Sequence, residues 1–371
     1  MKRGADIRLL LSLVVSAFLL SSAYRQYEAL KVCRGELQGR EMLVKQQAEE
    51  ISELNSRLAY YEQTGDGILC HGKLRVEGGH LVDSRGERLQ LRGVSSHGLT
   101  WFPRYTNAAS LGFWKEAGAN VFRAAMYSDQ NRGYVHYPEE SANYLYLAVE
   151  NALSNDMYTI VDWHILYDSN PLEHIEEAKV FFSEVSSHYG NHPGIIYEIC
   201  NEPNGDTTWK DITEYAQEVI PLIRYHAPDA VVLVGMPDYC TDYRPVLENP
   251  LPYENIMYTY HQYVDGGGKA YEAYGLKKML ENQLPVFISE WGIDSVDEEH
   301  ADFRAAGEFL DILEAEQVSW VVWALSNRSG SHALIRPESR RYGDFCVEDL
   351  SGVGRYVYNR LRQQTPRILT K

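Results

Sequence analysis

The feature that most constrains the fold is a series of eight apolar, β-branched or aromatic runs that alternate with stretches of helical spacing. The runs cover residues 89–94, 120–126, 158–162, 195–199, 231–234, 256–260, 286–288 and 319–324. Eight strands that alternate with helices over roughly 250–300 residues are typical of a (β/α)8 barrel. The alternative, an open doubly wound sheet, is disfavoured because no G-x-G-x-x-G turn follows the first run. We therefore predict a TIM barrel.

Residues capable of acid–base chemistry, hydrogen bonding or stacking follow most of these runs at their carboxyl ends. In a barrel of this type the active site is built at the carboxyl ends of the strands. The residues found there include His97, Arg123, Tyr127, His164, Asn201, Glu202, His261, Tyr263, Glu290 and Trp323. We expect these side chains to meet in one cleft.

Two of these residues, Glu202 and Glu290, are glutamates that end strand-like runs. Glutamate is a poor strand residue and its charge is expensive to bury, so the pair needs a chemical reason. Hydrolysis of a glycosidic bond uses two carboxyl groups, one as an acid and one as a nucleophile or base. The pair therefore predicts a glycosidase.

Charge and ligand spacing exclude other classes of function. A net charge of −17 argues against nucleic acid as a partner, because binding it requires clustered Lys and Arg. His97, His164 and His261 lie on separate runs without H-x-x-H spacing, and the five cysteines include no C-x-x-C pair. Neither a metal ion nor another cofactor is expected. Two disulfide arrangements stay open, a Cys70–Cys346 pair and a cross-link between two chains through Cys33.

Residues 1–23 have the pattern of an export signal, with early basic residues, an apolar run over residues 9–20 and small residues at 21–23. The apolar run is shorter than the ~20 residues of a spanning helix. A cleaved signal peptide and an uncleaved signal anchor both fit this pattern. In either case we predict an exported protein, either secreted or held at the cell surface by the membrane.

Residues 24–64 are predicted to form a stalk, followed by the barrel domain at 65–371. Apolar residues recur in the stalk at every seventh position, which indicates a coiled coil and a homo-oligomer. They are Leu30, Leu37, Val44, Ile51 and Leu58. The companion heptad position is mostly polar, so a single solvated helix or a disordered linker is the alternative. A helical stalk would be roughly 55 Å long.

Seven blocks of sequence carry a resemblance to a known family. They include Ile-Cys-Asn-Glu-Pro-Asn at residues 199–204 and Ile-Ser-Glu-Trp-Gly at 288–292, with others at 91–98, 121–127, 162–164, 258–263 and 319–326. On these blocks, residues 72–361 resemble glycoside hydrolase family 5, and within it the bacterial endo-β-1,4-glucanase (cellulase) branch. The stalk lies outside the resemblance.

The resemblance implies a retaining double displacement without a cofactor, acting on a β-glucan. Glu290 would be the nucleophile, supported by Arg123, and Glu202 the general acid/base. Glu202 must begin protonated, with its pKa raised by burial and by a neighbouring negative charge. Substrate contacts are implied for His97, Trp101, Tyr127, His164, Asn201, Tyr239, His261, Tyr263, Trp323 and Arg328.

Two departures from the branch concern the grip on substrate. Where the branch carries a Lys and an acidic residue after the eighth strand, this chain has Arg328 and Gly330, and Tyr239 stands where a Trp is usual. The leading hypothesis is an endo-1,4-β-glucanase. The same chemistry on mixed-linkage glucan, mannan or xyloglucan is the nearest alternative, and a non-catalytic surface scaffold that binds glycans is the rival of a different class.

Overall fold

The computed structural model describes residues 2–265, 273–295, 300–330 and 332–364, with the side chains of 2–18, 57–58, 60–64, 265, 273–274 and 364 left out. The chain divides into two compact units between Thr64 and Gly65. The first is one long helix and the second contains every described strand.

The second unit is built on a closed barrel of eight parallel strands, as the alternating pattern predicts. The strands, in barrel order, are β10 (Trp320–Leu325), β3 (Arg92–Ser96), β4 (Val121–Tyr127), β5 (Tyr158–His164), β6 (Ile195–Glu198), β7 (Val232–Gly235), β8 (Ile256–Asp265) and β9 (Val286–Asp294). Each predicted run overlaps one of them. A two-stranded antiparallel hairpin, β1 (Arg75–Glu77) and β2 (His80–Val82), precedes the barrel.

Helices follow most of the barrel strands, and the longer ones place their apolar faces against the barrel. They are α2 (Ile68–His71), α3 (Ala108–Ala117), α4 (Pro138–Ser154), α5 (Ile175–Tyr189), α6 (Trp209–His226), α7 (Pro237–Cys240), α8 (Arg244–Glu248), α9 (Ala273–Glu281), α10 (Phe303–Ala315) and α11 (Gly352–Gln364). Local sequence sets their ends. Thr208 and Asp211 form a capping box at the start of α6, and Gly118 ends α3 in the left-handed region.

The alternation of side chains along each strand separates an apolar layer from a polar one. Successive residues of a strand point to opposite faces, so residues two apart share a face. One buried apolar cluster draws on all eight strands or their immediate starts, through Leu91, Val121, Ile160, Ile196, Leu233, Met257, Phe287 and Val321. Two residues further along the same strands come the buried polar side chains of Arg123, Asp162, Glu198, Thr259 and Ser289. The polar side chains therefore form a layer nearer the carboxyl ends of the strands, above an apolar floor formed by this cluster.

The first unit is a single helix, α1 (Lys2–Thr64), so the helical prediction for the stalk is confirmed. Its heptad residues Leu30, Leu37, Val44 and Ile51 are 57–69% exposed. The coiled coil stays a prediction. Within the described residues, none of the helices has both the length and the apolar character needed to span a bilayer. Most of the predicted signal or anchor, at residues 1–18, falls outside the described side chains.

The cysteines are all free thiols in the described chain. A Cys70–Cys346 pair is therefore not formed, and the Cys346 thiol instead contacts the Asp349 carboxylate, with 3.0 Å between Sγ and Oδ2. Cys200 is buried, as expected from its place in an apolar run, and Cys33 is exposed on α1.

Candidate active site

A buried arginine on β4 holds the site together. Arg123 donates from Nε to Glu198 Oε2 at 2.7 Å, from Nη1 to Glu290 Oε2 at 2.9 Å and from Nη2 to Asn201 Oδ1 at 2.6 Å. Asp162 Oδ2 lies 3.0 Å from Nη2. Burial alone would lower the pKa of Arg123, but the three carboxylates raise it well above its usual value. A cation inside an apolar strand is thus explained by the carboxylates around it.

Glu290 lies on β9, directly opposite His261 of β8 in the strand register. Both of its carboxylate oxygens accept hydrogen bonds. Oε2 receives Arg123, and Oε1 receives the hydroxyl of Tyr263 at 2.6 Å. Two donors, one on β4 and one on β8, therefore hold this carboxylate in one orientation.

Glu202 lies in the loop after β6, and hydrogen bonds fix the backbone of this loop at Asn201 and at Glu202. Asn201 donates its N–H to the carbonyl of Trp163, and the Asn204 amide donates to the carbonyl of Glu202. The side chain is buried, with Oε1 2.8 Å from His261 Nδ1. Burial is the largest cause that raises the pKa of Glu202, to about 7, with Glu198 adding to the rise and Arg123 opposing it. The neighbouring carboxyl group that contributes to the raised pKa of Glu202 is thus Glu198.

The two glutamates come close to one another in the cleft. A carboxylate oxygen of Glu202, a ring nitrogen of His261 and a carboxylate oxygen of Glu290 all lie within 4.8 Å of one another. Retaining glycosidases hold their carboxyl groups about 5–5.5 Å apart, whereas inverting enzymes leave about 6.5–9.5 Å for a water molecule. The same three residues are the only grouping in the described part of the chain that would suit a metal ion, and a hydrogen bond already joins two of them.

Aromatic rings form one wall beside the carboxylates. The His164 ring stacks on Trp323 with 5.1 Å between centroids, and Trp101 packs against Tyr127 at 4.3 Å. His97 lies 5.1 Å from Trp323. Burial lowers the pKa of His97 to about 3 and that of His164 well below its usual value, so both rings are neutral. Apolar ring faces of this kind suit the faces of a sugar.

Two predicted contacts, Tyr239 and Arg328, lie outside the buried cluster. Tyr239 is 48% exposed and lies in α7, where Asp238, Tyr239 and Cys240 have φ of 54°, 55° and 62°. Left-handed backbone at non-glycine residues costs about 1–3 kcal/mol each and persists only where neighbours hold it. Here the Tyr239 N–H donates to the Pro203 carbonyl, and the Cys240 thiol donates to that of Asn201. Arg328 is exposed.

Sequence reasoning missed two buried members of the site, Glu198 and Ser289. Ser289 donates its hydroxyl proton to Glu198 Oε1 at 2.7 Å and lies 3.0 Å from His261 Nε2. Glu198 could have been found from its position, because it is a carboxylate inside the run 195–199. It comes two residues after Ile196 and therefore lies on the same face of the strand as Ile196. Asp162, at the end of the third apolar run, lies 2.6 Å from His164 Nδ1 and forms an ion pair with Arg123.

Comparison with known proteins gives matches to cellulases and endoglucanases. A sequence model of the family described as Cellulase (glycosyl hydrolase family 5) matches residues 82–329. Endoglucanase A of Butyrivibrio fibrisolvens is 43% identical over 300 residues, which make up 79% of this chain and 69% of that protein. Endoglucanase 5 of Pectobacterium carotovorum subsp. carotovorum is 37% identical over 312 residues, 83% of this chain and 61% of that protein. The chain thus spans about two thirds of these relatives.

Solved structures agree with these matches. The catalytic domain of an endoglucanase from Thermobifida fusca has a TM-score of 0.75 at 31% identity, covering 80% of this chain and 99% of that one. A second structure of that domain, also with a TM-score of 0.75, is a complex with cellotetraose. The family predicted from the seven sequence blocks is confirmed. The chain belongs to glycosyl hydrolase family 5, the cellulase family.

Proposed function

We propose that the barrel is a retaining endo-1,4-β-glucanase in which Glu290 is the nucleophile and Glu202 the general acid/base. The observation that carries the proposal is the approach of their carboxylate oxygens to within 4.8 Å at the carboxyl end of the barrel. This spacing favours direct attack on the sugar over activation of an intervening water molecule. The relatives named endoglucanases and the cellotetraose complex of one of them support a β-glucan as substrate.

The reaction proceeds in two displacements. In the first, Glu290 bonds to the anomeric carbon while Glu202 gives its proton to the departing glycosidic oxygen. The covalent bond removes the charge of Glu290. In the second, Glu202 takes a proton from water, the resulting hydroxide bonds to the anomeric carbon, and the bond to Glu290 breaks. Two inversions at one carbon give net retention.

Several of the other predicted residues hold the sugar chain. Asn201 uses its side-chain oxygen for Arg123 and one N–H for the Ile165 carbonyl, which leaves a second N–H for the sugar 2-hydroxyl. The aromatic wall and Tyr263 pack against the sugar whose bond is cut. Tyr239 and Arg328 act further along the chain, on either side of the cleavage point.

Product analysis tests both the substrate and the stereochemistry. Carboxymethylcellulose, lichenan, glucomannan and xyloglucan are supplied to the full chain, with viscosity, reducing ends and chromatographic products followed together. We expect carboxymethylcellulose to lose viscosity long before many reducing ends appear, because internal bonds are cut. Proton NMR on a soluble cello-oligosaccharide should show the β-anomer before mutarotation.

Other results would contradict the proposal. An α-anomer as the first product would mean an inverting enzyme. Turnover confined to glucomannan or xyloglucan would reassign the substrate, and no turnover of any of the four would favour the glycan-binding scaffold.

We also propose that α1 is the stalk of an exported protein and pairs with a second copy in a parallel coiled coil. Its exposed heptad residues support this, because an unpaired apolar stripe in water is unfavourable. Cys33 lies at the companion position, between Leu30 and Leu37. In a parallel dimer the two Cys33 residues face one another at the helix interface.

Mild oxidation of the full chain should therefore give a covalent dimer on a non-reducing gel. The Cys33→Ser variant should remain a non-covalent dimer by light scattering and should give no cross-link. A monomer at micromolar concentration, with no cross-link in the wild type, would contradict the pairing.

A further inference from the structure

A continuous run of hydrogen bonds joins Glu202 to a second buried carboxyl group that the double displacement does not use. His261 Nδ1 lies 2.8 Å from Glu202 Oε1, and His261 Nε2 lies 3.0 Å from Ser289 Oγ. Ser289 Oγ lies 2.7 Å from Glu198 Oε1. Ser289 and Glu198 are 0% exposed and His261 is 3% exposed, so bulk water has little access to this run.

The donor and the acceptor of each hydrogen bond in this run follow from the number of protons available. Glu198 receives two hydrogen bonds from the Arg123 guanidinium, at 2.7 and 3.2 Å. A carboxylate held in this way is ionised and can only accept. The single hydroxyl proton of Ser289 therefore goes to Glu198. The Ser289 oxygen must then accept from His261, which places the imidazole proton on Nε2.

That tautomer determines which partner donates at the other end. Burial lowers the pKa of His261 to about 4, so the ring is neutral near pH 7 and carries one proton. With this proton on Nε2, the Nδ1 atom has only a lone pair. The 2.8 Å contact with Glu202 is then a hydrogen bond only if Glu202 supplies the proton.

We infer that Glu198 is a positioning residue that acts through Ser289 and His261 to keep the proton of the resting enzyme on Glu202. When Glu202 has given its proton to the leaving group, its carboxylate faces the Nδ1 lone pair. This repulsion favours recovery of a proton from the incoming water. One fixed tautomer thus serves both half-reactions, and the inference rests on the retaining mechanism proposed above.

Other ionisable groups also face Glu202 and His261, on the strands around them and on α7. They are Arg123, Tyr127, Asp162, His164, Glu198, Cys240, Tyr263 and Glu290. Burial raises the pKa of Glu198, and Arg123 opposes the rise. The Ser289→Ala variant changes none of these charges, so it isolates the direction of the hydrogen bonds.

The test is the pH dependence of kcat/KM on a soluble cello-oligosaccharide, from pH 4 to 10. In the wild type, activity should fall on the alkaline side near pH 7, where Glu202 loses its proton. In Ser289→Ala, His261 is free to carry its proton on Nδ1 and donate to Glu202, which favours the carboxylate. The alkaline limb of the profile should therefore shift to lower pH by about one unit. Ser289→Thr, which keeps the hydroxyl, should restore it.

Controls separate this role from packing. Ser186→Ala removes another buried serine hydroxyl, on α5, and should leave the profile unchanged. A limb that stays in place in Ser289→Ala, one that moves up, or an equal loss of activity at every pH would overturn the inference. If both Ser289 variants fail to fold, ¹⁵N NMR of His261 in the wild type tests the inference instead. A proton on Nδ1 would contradict the inferred tautomer. A wild type that shows no turnover instead overturns the proposed function.

Discussion

The Glu290→Ala variant should lose about four orders of magnitude or more in kcat on carboxymethylcellulose. The methyl group of alanine cannot bond to the anomeric carbon, so the first displacement has no nucleophile. The carboxylate is also the partner of Arg123 and Tyr263, whose donors are left facing the cleft. The measurement is the release of reducing ends, with thermal unfolding followed in parallel to show that the barrel is intact.

Chemical rescue makes this prediction specific to the nucleophile. Azide fits the space that the carboxylate vacates and attacks the anomeric carbon from the same side, so dinitrophenyl β-cellobioside should yield the α-cellobiosyl azide. The matched control is Glu308→Ala, which removes an exposed glutamate of α10 and should behave like the wild type. Activity of Glu290→Ala within tenfold of the wild type would rule out the assigned nucleophile.

For Glu202→Ala, the loss should depend on the leaving group. On carboxymethylcellulose the departing alkoxide needs a proton, and removing the acid should cost about three orders of magnitude. Dinitrophenolate leaves without one, so the first displacement on dinitrophenyl β-cellobioside should stay within about tenfold of the wild type. The covalent intermediate then accumulates, because the base for the second step is missing. Rapid-mixing kinetics should show a burst of dinitrophenolate.

Azide distinguishes the two glutamates by stereochemistry. In Glu202→Ala, azide replaces water in the second displacement, so the product should be the β-cellobiosyl azide. Equal losses on both substrates, or an α-azide from this variant, would contradict the acid/base assignment. The two variants with one reagent therefore test both roles independently.

The barrel was predictable because its signal is local and repeated. Each strand, such as Val121–Tyr127, is a short apolar run, and the strand ends carry the polar residues that chemistry needs. The pairing of Arg123 with Glu290 was implied by the family resemblance. Glu198 could not be assigned a partner, because its bond to Ser289 crosses from β6 to β9 and depends on the barrel being closed. The left-handed turn at Tyr239 was equally hidden, since none of its three residues is glycine.

The cluster around Arg123 has a consequence for the kinds of molecules that the cleft favours. Asp162, Glu198 and Glu290 surround a single guanidinium, so the buried polar layer carries more acidic groups than basic ones. A buried cluster with more acidic than basic groups favours a ligand that gains positive charge over one that carries negative charge. Sugars are neutral, but the oxocarbenium-like species between substrate and covalent intermediate is cationic. The acidic cluster therefore favours the cationic species over the neutral substrate, although the two have nearly the same shape.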